Sequence, residues 1–113
     1  AVLEFGEVLA EPLSGDPDEQ FVELVNPGAE AVDVSGWRLG GGVTLDFAAG
    51  TVVASGQSLY VAPLATAFRS RPTSPTGDEG RLVQGGWQGS LSVGGGELQL
   101  TDGAGVPVAT TSY

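Results

Sequence analysis

Apolar and polar residues alternate along this chain with a period of two, and that period constrains the fold more than any other feature. The pattern is cleanest in Glu97-Leu98-Gln99-Leu100-Thr101, where an extended backbone throws the leucines to one side and the polar residues to the other. Ser58-Leu59-Tyr60-Val61-Ala62 repeats it with Leu59 and Val61 inward, and Val32 and Val34 flank Asp33 in the same way. In Phe21-Val22-Glu23-Leu24-Val25-Asn26 both faces are largely apolar, as expected of a central strand covered on both sides, with Val22 and Leu24 sharing one face. Asn26-Pro27-Gly28 ends this strand, because Pro fixes φ and Gly accepts positive φ, and it predicts a hairpin-like return to Val32 and Val34.

Further strands are expected at Val2 to Leu9, Trp37 to Leu39, Val43 to Phe47, Leu82 to Val83 and Val106 to Ser112. Nineteen Gly and seven Pro supply the turns between them. Ser35-Gly36 predicts a bulge or kink that turns Trp37 inward. The only helix expected is one turn from Leu64 to Arg69, held to the core by Phe68. Many short antiparallel strands without an amphipathic helix give an all-β sandwich of two sheets, and 113 residues suit one domain. Its expected core contains Leu24, Trp37, Leu39, Phe47, Leu59, Val61, Leu98 and Leu100.

The residues that are missing narrow the chemistry. Without Cys there is no disulfide or thiolate site, and without His the commonest general base and zinc ligand is gone. The cations are Arg38, Arg69, Arg71 and Arg81; with no lysine, neither a Schiff base nor a Lys-to-Asn isopeptide bond can form. Fourteen acids against four cations give a net charge of -10, which repels nucleic-acid phosphates and anionic lipid. The longest mostly apolar stretch, Leu59 to Phe68, is too short to span a bilayer. A start at Ala1 rather than Met suggests a processed protein or a piece of a larger one.

Three stretches in succession carry a family likeness: Phe21-Val22-Glu23-Leu24-Val25-Asn26-Pro27-Gly28, then Val32-Asp33-Val34-Ser35-Gly36-Trp37-Arg38-Leu39, then Gly50-Thr51-Val52-Val53-Ala54-Ser55-Gly56-Gln57-Ser58-Leu59-Tyr60-Val61. With Phe5-Gly6-Glu7-Val8-Leu9-Ala10 before them and Gly86-Trp87-Gln88-Gly89-Ser90-Leu91-Ser92, Gly96 to Gly103 and Ser112-Tyr113 after, the chain resembles the bacterial lamin-tail domain family over almost its whole length. The run Leu91 to Glu97 departs from the pattern, with a longer glycine run and no Asn soon after the Ser. The resemblance implies an immunoglobulin-like two-sheet sandwich. It also implies a non-catalytic module of secreted or surface proteins, often beside hydrolase or nuclease domains. Extracellular or cell-surface localisation and other protein domains or cell-surface components as partners follow from it as expectations.

Candidate sites are few. Asp16, Asp18 and Glu19 place three carboxylates in a Gly-Pro-rich loop, which suits Ca²⁺ if another loop, such as that of Asp78 and Glu79, adds oxygen ligands; otherwise they solvate a turn. Glu7 and Glu23 could form a glycosidase pair only if they flanked a cleft, and strand glutamates more often face solvent or pair with an Arg such as Arg38. Phe68, Arg69 and Arg71 lie in the longest connection, Pro63 to Arg81, where an acidic partner could dock, the alternative being a solvated excursion. Trp87, between Gly86 and Gly89, is either a sugar-stacking ring or core, whereas Trp37 is expected in the core. Two functions are thereby weighed: a non-catalytic attachment module, and a calcium-assisted adhesion or carbohydrate-binding module.

Overall fold

A computed structural model of the chain describes residues 3–10, 19–64, 82–92 and 94–113. Alternating residues form strands where expected and, in places, where they were not. The described residues contain β1 (Glu4–Leu9), β2 (Phe21–Val25), β3 (Val32–Asp33), β4 (Arg38–Gly41), β5 (Val43–Asp46), β6 (Val52–Val53), β7 (Ser58–Val61), β8 (Leu82–Gln84), β9 (Gln88–Gly89), β10 (Glu97–Thr101) and β11 (Pro107–Ser112). They contain no α-helix; the turn expected from Leu64 to Arg69 falls mostly outside the described residues.

The strands order as β1-β2-β7-β8 in one sheet and β11-β10-β4-β5-β9 in the other, with β3-β6 as a separate pair. The architecture is the immunoglobulin-like sandwich of an all-β protein. Its main core joins the inward rows of both sheets. Val22, Leu24, Leu59 and Val61 come from one, Leu39, Val43, Leu98 and Leu100 from the other, and Trp37, Phe47, Trp87 and Leu91 fill in from the connections. All eight residues expected to share a core belong to it.

β2 is covered on its second face as well. Phe21, Tyr60 and Ala62 form a smaller buried cluster there, with Leu9 and Val83 packed against it, and the Phe21 and Tyr60 rings meet edge to face at 5.7 Å.

Three expectations about connections are corrected. The Asn26-Pro27-Gly28 turn does not lead into a hairpin, because β1 and β7 already occupy both edges of β2; the chain passes on to β3, whose partner is β6. Not every neighbour is antiparallel: β7 and β8 pair in parallel, Leu59 opposite Leu82. Ser35-Gly36, expected as a bulge or kink, is a turn between β3 and β4 and not a bulge within a strand. Trp37 N donates to Val34 O and Gly36, at φ 75°, donates to Phe47 O. Trp37 is turned inward all the same.

The end of β4 needs glycine at Gly41, whose φ is 113° and whose added Cβ would overlap the Glu97 carbonyl. Gly42 and Gly96 leave a slot for the Tyr113 ring, whose hydroxyl accepts from Ser92 N at 3.0 Å while its backbone exchanges both bonds with Gly96. Gly96→Ala is therefore expected to displace the partly exposed ring and to cost about 1 kcal/mol, the low end for overpacking. Urea unfolding reads it, and an unchanged midpoint would show that Tyr113 does not latch the last strand.

Candidate functional site

Buried polar side chains show what a fold asks of its hydrogen-bonding groups, since each must find a partner away from water. Gln20, Asn26 and Thr51 are the buried ones among the described residues. Gln20 Nε2 donates to Ala10 O (2.8 Å) and Leu91 O (3.1 Å), and its Oε1 accepts from Leu91 N. This side chain therefore ties the end of β1 to the segment before β10. Asn26 Nδ2 donates to Glu30 O (2.8 Å) and Val53 O (2.9 Å), while its Oδ1 accepts from Gly28 N. Thr51 Oγ1 donates to Ala48 O and accepts from Gln84 Nε2. Gln20 and Asn26 thereby satisfy backbone groups of Ala10, Leu91, Glu30, Gly28 and Val53, and Thr51 adds a second bond to Ala48 O, which also accepts from Thr51 N. The sequence reading gave Asn26 only as a turn residue and Gln20 no structural role; a polar residue at each end of the apolar run Phe21 to Val25 was the available signal.

Glu7 and Glu23 do not flank a cleft. Between Phe5 and Val8 the β1 register shifts, and the freed Glu7 amide donates to Glu23 Oε1 at 3.1 Å. Glu23 Oε2 accepts from Ser58 Oγ (2.7 Å) and Tyr60 OH (3.2 Å). A carboxylate holding three neutral donors across β1, β2 and β7 is placed to staple strands, and the Glu7 side chain lies exposed. Arg38 reaches neither: it faces Asp46 on β5, Nε to Oδ1 3.7 Å, and both side chains are more than half exposed, so the pair adds little stability.

Trp87 is corrected from a possible binding ring to a core residue. Only 5% of it is exposed, it packs in the main cluster, and its Nε1 is buried without a hydrogen-bond partner, so neither ring face is open to a sugar. Local sequence left this undecided, because flanking glycines carry no facing information. The other candidate binding residues, Phe68, Arg69 and Arg71, and the candidate calcium ligands Asp16 and Asp18, lie outside the described residues, as do Asp78 and Glu79. Glu19, the remaining member of that acidic loop, is half-buried beside Gln20. Among the described residues, no three acidic side chains gather as a metal site would require.

Asp33 is fully exposed, yet its carboxyl is held below the ordinary value of 3.8, first by the Ser35 hydroxyl and then by the Ser35 amide. The hydroxyl in turn accepts from Gly50 N at 2.7 Å, joining the turn after β3 to the one before β6. A lowered folded value means that this contribution is present above the unfolded pKa and fades as pH falls through the folded one. Ser35→Ala should raise the Asp33 pKa toward the ordinary value in a carbon-detected NMR titration; an unmoved value would assign the depression elsewhere.

A shallow depression of about 530 Å³ lies where Gly41, Glu97, Gln99, Thr110 and Ser112 meet on β4, β10 and β11. Its polar lining has one carboxylate, Glu97, and no basic group.

Taken together, the fold and its polar groups define an immunoglobulin-like sandwich in which the buried Gln20, Asn26 and Thr51 side chains are committed to holding the fold. The family model of the Lamin Tail Domain matches residues 1–113. The chain belongs to that family, whose domains are generally not enzymes. Comparison with curated proteins found no match.

Proposed function

We propose that this domain is an attachment or spacing module within a larger extracellular bacterial protein, and that it makes its contacts through surface segments rather than an enclosed pocket. The observation that carries this reading is the use of Gln20, Asn26 and Thr51. Each of these three side chains is spent on the domain's own backbone or on Gln84, and they do not converge on a shared cavity. Membership of the Lamin Tail Domain family supports a non-catalytic role. The partners are other protein domains or cell-surface components, not nucleic acid, which the net charge of -10 repels.

The test compares the full-length parent protein with a version lacking residues 1–113. Attachment to the cell surface or to a partner should fall, while turnover by any attached catalytic domain stays unchanged. Equal attachment of both versions would reject the reading. Thermal unfolding with and without millimolar Ca²⁺ at matched ionic strength should show no shift. A rise of several degrees abolished by Asp16→Asn would favour the calcium-assisted module instead.

A further inference from the structure

Exposed sheet edges recruit other chains, and proteins blunt them with charge, brevity or bulges. Among the described strands, three of the four outer edges of the two large sheets are blunted. β1 carries Glu4 and Glu7 and a register shift, β8 has three residues and β9 has two. β11 is different. It is a six-residue edge strand, Pro107-Val108-Ala109-Thr110-Thr111-Ser112, with no charged side chain in a protein that has fourteen acids. Its protections, Pro107 and the register shift between Pro107 and Ala109, both sit at the start and leave Thr110 to Ser112 regular.

The direction of its free groups follows from the ladder. Tyr113 and Gly96 exchange both backbone bonds, so the antiparallel alternation bonds Thr111 to Leu98 and Ala109 to Leu100 and leaves Ser112 and Thr110 facing the other way. Glu97, opposite Ser112, correspondingly gives its carbonyl to Gly42 N on the β4 side. The N–H and C=O of Thr110 and Ser112 thus point to the open side. Ser112 O takes only a 3.4 Å contact from the Thr111 hydroxyl. β1 packs near β11 but belongs to the other sheet.

We propose that β11 is a docking edge for an extended, basic segment of a partner protein, which adds as a sixth strand to the β11-β10-β4-β5-β9 sheet. This deepens, and rests on, the reading of the domain as an interaction module. Backbone bonds to Thr110 and Ser112 supply the pairing, as in other strand additions. Side chains of the incoming strand alternate. Its inward ones extend the row of Leu98 and Thr111 and of Leu100 and Ala109, and are apolar. Its outward ones cross Ser112 and Thr110, which are short enough for a Lys or Arg to reach over them into the depression containing Glu97 and Gln99. Charge selects the occupant: a net -10 repels a second copy and attracts a cationic strand.

The probe is the peptide acetyl-Lys-Val-Lys-Val-Lys-Val-Lys-amide, titrated into the isotope-labelled domain while amide exchange is followed by NMR. The Thr110 and Ser112 amides should slow roughly tenfold when about nine-tenths of the domain is occupied, and the protection should weaken with salt. Glu97→Gln should weaken binding about two- to fivefold, the range of an exposed charge pair. N-methylating the peptide amides that face β11 should abolish binding, and this control leaves the protein untouched. Thr110→Pro, which removes an outward N–H and no bond to β10, should abolish it too. Equal binding by the N-methylated peptide or by one with Glu in place of Lys would overturn the proposal. So would absence of protection at those two amides, or their protection by concentrated domain alone, which would identify a second copy as the occupant. If the peptide fails while deletion of the domain still abolishes attachment, the module reading stands and its contacts lie elsewhere.

Discussion

Replacing Leu100 by Ala is expected to destabilise the domain by about 2 to 5 kcal/mol, a large share of the roughly 5 to 15 kcal/mol that holds a domain of this size together. Leu100 is fully buried in β10, between Leu39 of β4 and Ala109 of β11, and faces the inward row of the other sheet. Ala removes three buried carbon atoms at a site where strands on both sides limit collapse, so the lost transfer energy and the residual cavity add. Gln99→Ala, one residue away but exposed, should shift stability by no more than about 0.5 kcal/mol. Urea unfolding of the pair reads the facing of β10 directly. Similar small effects from both would mean that the core lies on the other face.

Asn26→Ala should cost about 2 to 4 kcal/mol, although it removes only a small amide. The loss strands Glu30 O, Val53 O and Gly28 N, and the backbone of Asn26 itself is bonded to Gln57 O and Gly56 N, so the surroundings cannot shift to recover partners. Asn26→Asp sharpens the test. It keeps the acceptor for Gly28 but turns a donor into a carboxylate oxygen aimed at two carbonyls, which raises the folded pKa of the introduced group. With a raised folded value, its stability is fullest below the unfolded pKa and is lost as pH rises through the folded one. The deficit relative to wild type should therefore shrink in acid. A pH-independent deficit, or an Ala variant as stable as wild type, would show that Asn26 does not carry these bonds.

Where the sequence was legible, the signal was local. Leu98 and Leu100 were assignable because two residues per repeat is a property of one strand, independent of its neighbours. Trp37 could be placed because Gly36 allows the turn before it. The apolar positions on both sides of Phe21 to Val25 announced two covered faces, and Phe21 with Tyr60 forms the second. Trp87 was not legible, since isolated aromatic residues among glycines have no period to set their facing. The staples Gln20, Asn26 and Glu23 were equally hidden: their partners at Leu91, Val53 and Ser58 are far away in sequence, and no spacing rule joins them.

Sequence alone therefore determined the class of the fold, the inward rows of its strands and the net charge of -10. Tertiary structure alone decided which strands are neighbours. Each strand has two edges, and the competition for them is settled by the whole chain: β1 and β7 take both edges of β2, which sends β3 to β6, and β7 takes β8 in parallel. That same competition left β11, among the described strands, with a partner on one side only. A strand's facing is written in its own residues, but whether its second edge stays open depends on every other strand that could have filled it.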